Sequence, residues 1–384
     1  MTDLDGPRPV RREELLASHR LAALCFPGEV MEPPEDELPA RYKAPRRGGT
    51  YVICHEGRPV SQLSIFHSRI CLYGSSVRIA SIGGVCTHPD YRGQGLATRL
   101  LDHCIRVLTE EGAHLLLISG IRGLYERAGC VTAGLFEYFA LKPGQLPVQA
   151  GAFVMRQATQ ADAALCARLY HQEAVHFERR VEDFVHHFRR QEEYLRAEDW
   201  IIETDGRPLA YLLTGLPWES LYSQDRAVRE VREYAGSRLA LVAGLGMIIS
   251  RLGLRELRIS VPWQDVDMVQ MLRGYGATSA PIPLIEHTMR IVNLPGLMSG
   301  LRPCLVARLK ENLRRGLRFE QEGGRYTIMQ GKEQLELDGA AMTRLIMGVP
   351  EEVTPQTGTE QGVLTEILSA LFPLPSFLPG LNYR

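Results

Sequence analysis

Thr87-His88-Pro89-Asp90-Tyr91-Arg92-Gly93-Gln94-Gly95-Leu96-Ala97 decides how this chain is read. The apolar run Ile79-Ala80-Ser81-Ile82-Gly83-Gly84-Val85-Cys86 precedes it, and Thr98-Arg99-Leu100-Leu101-Asp102-His103-Cys104-Ile105 follows. That order predicts a strand, a glycine-bearing turn and the first turns of a helix. The opening amides of a helix have no partner within it, and the helix dipole adds partial positive charge there. The turn therefore suits a phosphate group. Gly93 can take backbone angles closed to other residues, and Gly95 removes the side chain that would keep a diphosphate off the main chain. Ala97 keeps the helix start open.

The segment is neither a Walker loop, since no Gly-Lys-Ser/Thr follows, nor the three-glycine dinucleotide pattern. Downstream, Ala113-His114-Leu115-Leu116-Leu117-Ile118-Ser119-Gly120 predicts a short strand. Ile121-Arg122-Gly123-Leu124-Tyr125-Glu126-Arg127-Ala128-Gly129-Cys130 continues as a short helix ending at a glycine.

The spacing Arg92-x-x-Gly95-x-Ala97, with Tyr125 four residues before Gly129, resembles the GCN5-related N-acetyltransferases (GNAT). The resemblance implies acetyl-CoA as co-substrate, held by Val85, Cys86, Thr87, Arg92, Gly93, Gln94, Gly95, Leu96, Ala97, Thr98 and Ser119. It also implies direct transfer of the acetyl group to a primary amine in a ternary complex. An amine attacking a thioester builds an oxyanion and expels a thiolate. Main-chain N–H groups of Val85-Cys86-Thr87 could hold the pantetheine arm and polarise the carbonyl. A tyrosine hydroxyl, of ordinary pKa near 10, can protonate a thiolate of comparable basicity. The resemblance gives that role to Tyr125; a half-buried aromatic capping the sheet is the other reading. Cys86 lies beside the expected thioester, but no base is visible to activate it, and it reads as packing.

A chain of 384 residues exceeds one comfortable domain. Its 44 basic and 45 acidic residues nearly cancel, which gives no footprint for nucleic acid or a membrane surface. The eight cysteines show no C-x-x-C and no zinc spacing, so no metal is expected and a cytoplasmic setting is. The longest apolar region, Leu239 to Ile249, is too short to span a bilayer.

The chain repeats itself. Tyr51 to Val60 is echoed by Trp200 to Leu209, both built around Gly-Arg-Pro, with the glycines 149 residues apart (206 − 57). Leu124 to Gly129 is echoed by Met271 to Gly276, with the glycines 147 apart (276 − 129). The second copy lacks the phosphate-turn spacing around 238–248 and carries Leu272 where the first has Tyr125. It is expected to fold without the anion site or the acid. A Pro/Gly linker, Leu141 to Val148, separates the copies. After Ile291 come helical patterns at 303–314, 340–347 and 364–371, with strand patterns at 316–322, 325–330 and 333–338.

The expected fold is α/β (α+β). Tandem GNAT units, each a mixed central sheet flanked by helices, precede a small C-terminal α+β domain. The boundaries fall at 1–145, 146–290 and 291–384. This order of domains resembles the enhanced-intracellular-survival (Eis) type of bacterial acetyltransferase, whose third domain is related to sterol carrier proteins. In that type the C-terminal carboxylate is the catalytic base. The resemblance therefore points to Arg384, at the end of the stiff apolar tail Phe372 to Arg384; packing at an interface is the alternative for that tail. The acidic stretch Phe26 to Glu37 could draw a cationic amine, a small molecule or a lysine side chain, and Trp218 and Trp263 could offer flat walls. A homo-oligomer stays open. The rival functions are a non-catalytic acyl-CoA-binding regulator and a transferase of another acyl group.

Overall fold

The computed structural model describes residues 4–26, 47–147, 153–194, 197–217, 225–284, 287–349 and 362–382. Its strands in chain order begin with β1 (Leu4–Pro9), β2 (Arg47–His55), β3 (Arg58–Leu72), β4 (Ser75–Thr87), β5 (Leu115–Ser119) and β6 (Phe136–Leu141). Next come β7 (Phe153–Gln157), β8 (Val175–Phe177), β9 (Ala197–Thr204), β10 (Arg207–Gly215), β11 (Val228–Gly236) and β12 (Glu256–Pro262). The series ends with β13 (Ser279–Ile282), β14 (His287–Ile291), β15 (Leu317–Glu322), β16 (Arg325–Gln330) and β17 (Glu333–Asp338).

They form two seven-stranded sheets and one of three. The first runs β1-β2-β3-β4-β5-β14 with β8 alongside β3; the second runs β13-β6-β12-β11-β10-β9-β7; the third is β15-β16-β17. Each large sheet is antiparallel apart from one parallel pair, β4/β5 and β11/β12. A helix makes each crossover, Leu96–Glu110 in the first unit and Arg238–Leu252 in the second. Parallel neighbours need such a crossover, so the pairing fixes where each helix must lie.

The repeat legible in the sequence is a repeat of backbone conformation. β2 and β3 are joined at Glu56-Gly57, with φ of 50° and 75°, and β9 and β10 at Asp205-Gly206, with φ of 48° and 70°. Two successive left-handed residues make the tight turn that matches strand twist, and Asp-Gly or Glu-Gly supplies it. Both parallel pairs are short. Ile79–Ile82 pair with Leu115–Ile118, and Val228–Val231 with Glu256–Ile259. Beyond these rungs β4 leaves β5 and β11 leaves β12, each keeping its antiparallel neighbour across a register shift. A bulge bends its strand, so each parallel pair opens into a V.

The two large sheets also exchange strands. β6 follows the first unit's short helix yet pairs with β12 and β13, while β14 follows the second unit and pairs with β5. The third module then docks on β14. The Tyr326 hydroxyl donates to the carbonyl of Ile291 (2.8 Å), and the Ile291 amide donates to Thr343 Oγ1 (3.1 Å). One apolar cluster therefore runs through all three parts, from Ile70 and Leu117 through Phe136 and Tyr211 to Met342 and Phe377. Each such side chain contributes about 1.5–3 kcal/mol on burial. The first unit keeps a separate core between its sheet and helix Leu96–Glu110, whose buried face is Leu96, Leu100, Leu101, Cys104, Ile105 and Leu108.

Candidate active site

The expected phosphate turn stands at the open end of the β4/β5 pair. A 3-10 turn at Pro89–Tyr91 redirects the chain, braced by a 2.6 Å hydrogen bond between the Tyr91 hydroxyl and His55 Nδ1. Arg92 Nε donates to the Thr87 carbonyl (3.2 Å), which ties the turn to the end of β4. Gly93 and Gly95 have φ of 77° and 73°. A Cβ on either would meet nothing within 4 Å. Both therefore border open space as well as adopting left-handed backbone. Gly95 is the N-cap of helix Leu96–Glu110, and no side chain caps that end. Arg92, Gly93, Gln94, Gly95, Thr98 and Arg99 are exposed, Ala97 is half-buried, and Leu96 and Leu100 anchor the helix beneath them. An uncapped helix start beside two exposed glycines that border open space fits the diphosphate of a coenzyme A thioester.

Val85, Cys86 and Thr87 lie on the part of β4 that has left β5, so their main chain on that side has no strand partner among the described residues. Gly84, at φ 61°, carries the bulge. On the β3 side, Ser61 Oγ lies 2.8 Å from Thr87 Oγ1 and donates to the carbonyl of Cys86 (3.2 Å). The Cys86 thiol is buried, and burial, with Cys25 beside it, pushes its pKa well above the ordinary thiol range. It holds its proton and serves packing, not nucleophilic attack.

Tyr125 rises from the opposite wall, on the single-turn helix Gly123–Arg127 that follows β5. The residue is 2% exposed, and no hydrogen bond to its hydroxyl is made among the described residues. Burial raises its pKa, against a smaller lowering by the Arg122 charge, so the phenol stays protonated through neutral pH. Gly120 makes room for the ring, since a Cβ there would sit 3.1 Å from Tyr125 Cε2. Ser119 ends β5, one residue past the last rung, and is exposed at the mouth of the V. The fold thus brings the turn, the free end of β4 and Tyr125 to one end of one sheet. Gly84 on the β4 side and Gly120 and Arg122 on the Tyr125 side belong to the same end of the sheet and carry no motif of their own. The Gly83-Gly84 pair inside an apolar run was the readable sign of a bulge.

The same place in the second unit is closed. Helix Arg238–Leu252 is capped by Ser237, whose Oγ accepts from the Ala240 amide. The carboxylate of Glu173 accepts from the Gly236 amide (2.9 Å) and from both terminal nitrogens of Arg238 (2.8 and 2.7 Å). An internal carboxylate thus lies against the start of that helix. Leu272 is fully buried at the place of Tyr125.

Three expected features fall outside the described residues: Arg384, Trp218 and the acidic stretch beyond Phe26. Trp263 is partly exposed, and its amide donates to the Leu135 carbonyl (3.2 Å). No described helix is long and apolar enough to cross a membrane, and no group of three metal-binding side chains gathers among the described residues.

Residues 7–133 match the family model Acetyltransf_9, the acetyltransferase (GNAT) domain. No curated protein matches the sequence. Among solved structures, the chain is similar to a conserved protein of Enterococcus faecalis V583 described as a probable N-acyltransferase. Identity is 15%, coverage is 97% of each chain, and the TM-score is 0.65. It is also similar to a GCN5-related N-acetyltransferase from Anabaena variabilis ATCC 29413, at 16% identity, with 99% of this chain and 98% of that one covered and a TM-score of 0.62. Eis1 from Mycobacterium abscessus is a further structural neighbour, at 14% identity, 88% and 85% coverage and a TM-score of 0.56. These likenesses span all three parts of the chain at the level of fold. Residues 7–133 form an acetyltransferase (GNAT) domain, the domain of an acyltransferase.

Proposed function

We propose that this protein is an acetyl-CoA-dependent N-acetyltransferase that passes the acetyl group directly to a primary amine. The observation that carries the reading is the uncapped, glycine-lined helix start opening beside the free end of β4. The thioester supplies the activated acyl carbon and the leaving thiol. Amides of Leu96, Ala97 and Thr98, with Gly93, Gln94, Gly95 and Arg92, take the diphosphate, and Val85, Cys86, Thr87 and Ser119 line the arm. As the amine nitrogen bonds to the carbonyl carbon and the C–S bond breaks, Tyr125 gives its proton to the departing sulfur. A buried phenol with a raised pKa is protonated at the start of that step.

The base we assign is the carboxylate at Arg384. Asn382 Nδ2 donates to Ser68 Oγ on β3 (3.0 Å), which places the tail against the sheet that carries the site.

In this reading residues 1–145 hold the cofactor, residues 146–290 form a degenerate second unit, and residues 291–384 form a sterol-carrier-like module. Eight unpaired cysteines support a reducing, cytoplasmic setting. The test is release of free CoA thiol from acetyl-CoA across a panel of amines, with native mass spectrometry against several acyl-CoAs. Binding without release for any amine would favour a regulator, and preference for a larger acyl group would favour a different transferase.

A further inference from the structure

The segment after the last helix plugs the second unit's cleft. Ser376 is held through both main-chain groups by the Gln264 carboxamide: its amide donates to Oε1 (3.1 Å) and its carbonyl accepts from Nε2 (2.6 Å). Its hydroxyl accepts from the Leu135 amide (2.8 Å). Phe377 meets Phe177 edge to face, with ring centroids 5.7 Å apart. Ser376 to Leu378 line, with Glu233, Tyr234 and Asp265, a cavity of about 150 Å³ where β11 and β12 part. In the first unit the equivalent opening, beyond Ile82 and Ile118, is the one proposed above for the thioester arm.

Beyond the plug the chain meets a buried ion pair. The Arg179 side chain is 0% exposed and that of Glu233 2%. Arg179 Nη1 donates to both Glu233 oxygens (2.8 and 2.7 Å), and the Tyr211 hydroxyl donates to Oε1 (2.8 Å). The guanidinium lies 4.2 Å from the Tyr170 ring centroid. Its other donors go to the tail: Nη2 to the Pro379 carbonyl (3.2 Å) and Nε to Asn382 Oδ1 (2.6 Å). The Leu381 amide donates in turn to Glu233 Oε2 (3.2 Å). Gly380, at φ 50°, sits so close that a Cβ would lie 1.8 Å from Glu233 Oε2. Asn382 then bridges to Ser68 in the first sheet.

A buried ion pair is weak evidence of stability, because desolvation offsets most of its attraction. What a fully satisfied one provides is geometry, and here that geometry is directed at the tail. We propose that Arg179 and Glu233 are positioning residues for acyl transfer, catching residues 379–382 in the second unit's closed-off cleft and so holding Asn382 against β3 of the first sheet. This rests on the reading that the carboxylate at Arg384 is the base, and it gives the degenerate unit a part in catalysis.

The test uses Gly380→Ala and Asn382→Ala in the full chain, since neither removes a member of the buried pair. Both should lower kcat at least tenfold, leave the KM for acetyl-CoA within about twofold and move the acid limb of the pH–rate profile. Hydrogen exchange over residues 374–382 should quicken. Arg179→Lys, which keeps the charge and loses the fork, should behave the same way. A tail that exchanges faster while kcat and the pH profile stay unchanged would overturn the proposal. So would a fall in kcat matched by an equal loss of acetyl-CoA affinity and of Tm. Deleting Tyr383 and Arg384 separates the two claims. Normal turnover after deletion, with Asn382→Ala slow, rejects Arg384 as base and keeps the catch. Slow turnover after deletion, with both point variants normal, rejects the catch and keeps the base.

Discussion

Tyr125 and Leu272 occupy one and the same position in two turns that close alike. The Cys130 amide donates to the carbonyl of Tyr125 (2.9 Å), and the Ala277 amide donates to that of Leu272 (3.1 Å). In each turn a left-handed glycine precedes the donor, Gly129 at φ 75° and Gly276 at φ 81°. The same turn is therefore present twice and the tyrosine hydroxyl once.

Tyr125→Phe should keep the fold, because only one oxygen leaves a ring that Gly120 already accommodates. A general acid contributes on the order of 100-fold or more, so kcat should fall by about that factor. Affinity for acetyl-CoA should change less than threefold, within roughly 0.7 kcal/mol. Steady-state kinetics with calorimetry checks both, and an unaltered kcat removes Tyr125 as the acid.

Gly95→Val acts on the cofactor instead. A left-handed non-glycine residue costs about 1–2 kcal/mol, and the new side chain points into open space with nothing within 4 Å. The protein should stay folded, with a modestly lower Tm, while acetyl-CoA binding disappears from a calorimetric titration. Retained binding would place the diphosphate elsewhere.

In the second unit, Glu173→Ala should unmask an anion site. It takes the acceptor from the Gly236 amide and leaves Arg238 with the carboxylate of Asp265 alone, which lowers stability by about 1–3 kcal/mol. Tm should then rise with added sulfate more steeply than in the parent protein. Equal sulfate dependence in the two would show that Glu173 is not standing in for an anion.

His114 sets a pH dependence of stability. It is buried beneath Gly300, and burial together with the charges of Arg78 and Arg69 lowers its pKa from 6.5 to about 4. Between those values the unfolded chain binds a proton that the folded one refuses. Stability is therefore full above pH 6.5 and falls as pH drops towards 4, by up to about 3 kcal/mol. Urea titrations at pH 7 and pH 5 should show the loss, and His114→Gln should flatten it.

The turn, its glycines and the Tyr125 helix were legible because each is a short-range requirement. A left-handed residue needs glycine, an amphipathic helix needs its period, and a tight hairpin needs Glu-Gly or Asp-Gly, all within a dozen residues. The second unit's departures from the first were legible for the same reason, as Leu272 and the missing turn spacing show. That a glutamate from 65 residues earlier in the chain closes over Gly236 and Arg238 at the second helix start was not. Glu173 sits in no motif, and an isolated carboxylate carries no local signature.

Sequence alone determined the kinds of elements, their order and the chemistry of the turn, since these depend on neighbours along the chain. Tertiary structure alone decided that β6 and β14 trade sheets, that Arg179 and Glu233 meet 54 residues apart, and that both close on the last turn of the tail. Apolar strands of similar composition can pair with either sheet. The choice is made by which edge and which buried surface remain to be covered once every other element has packed.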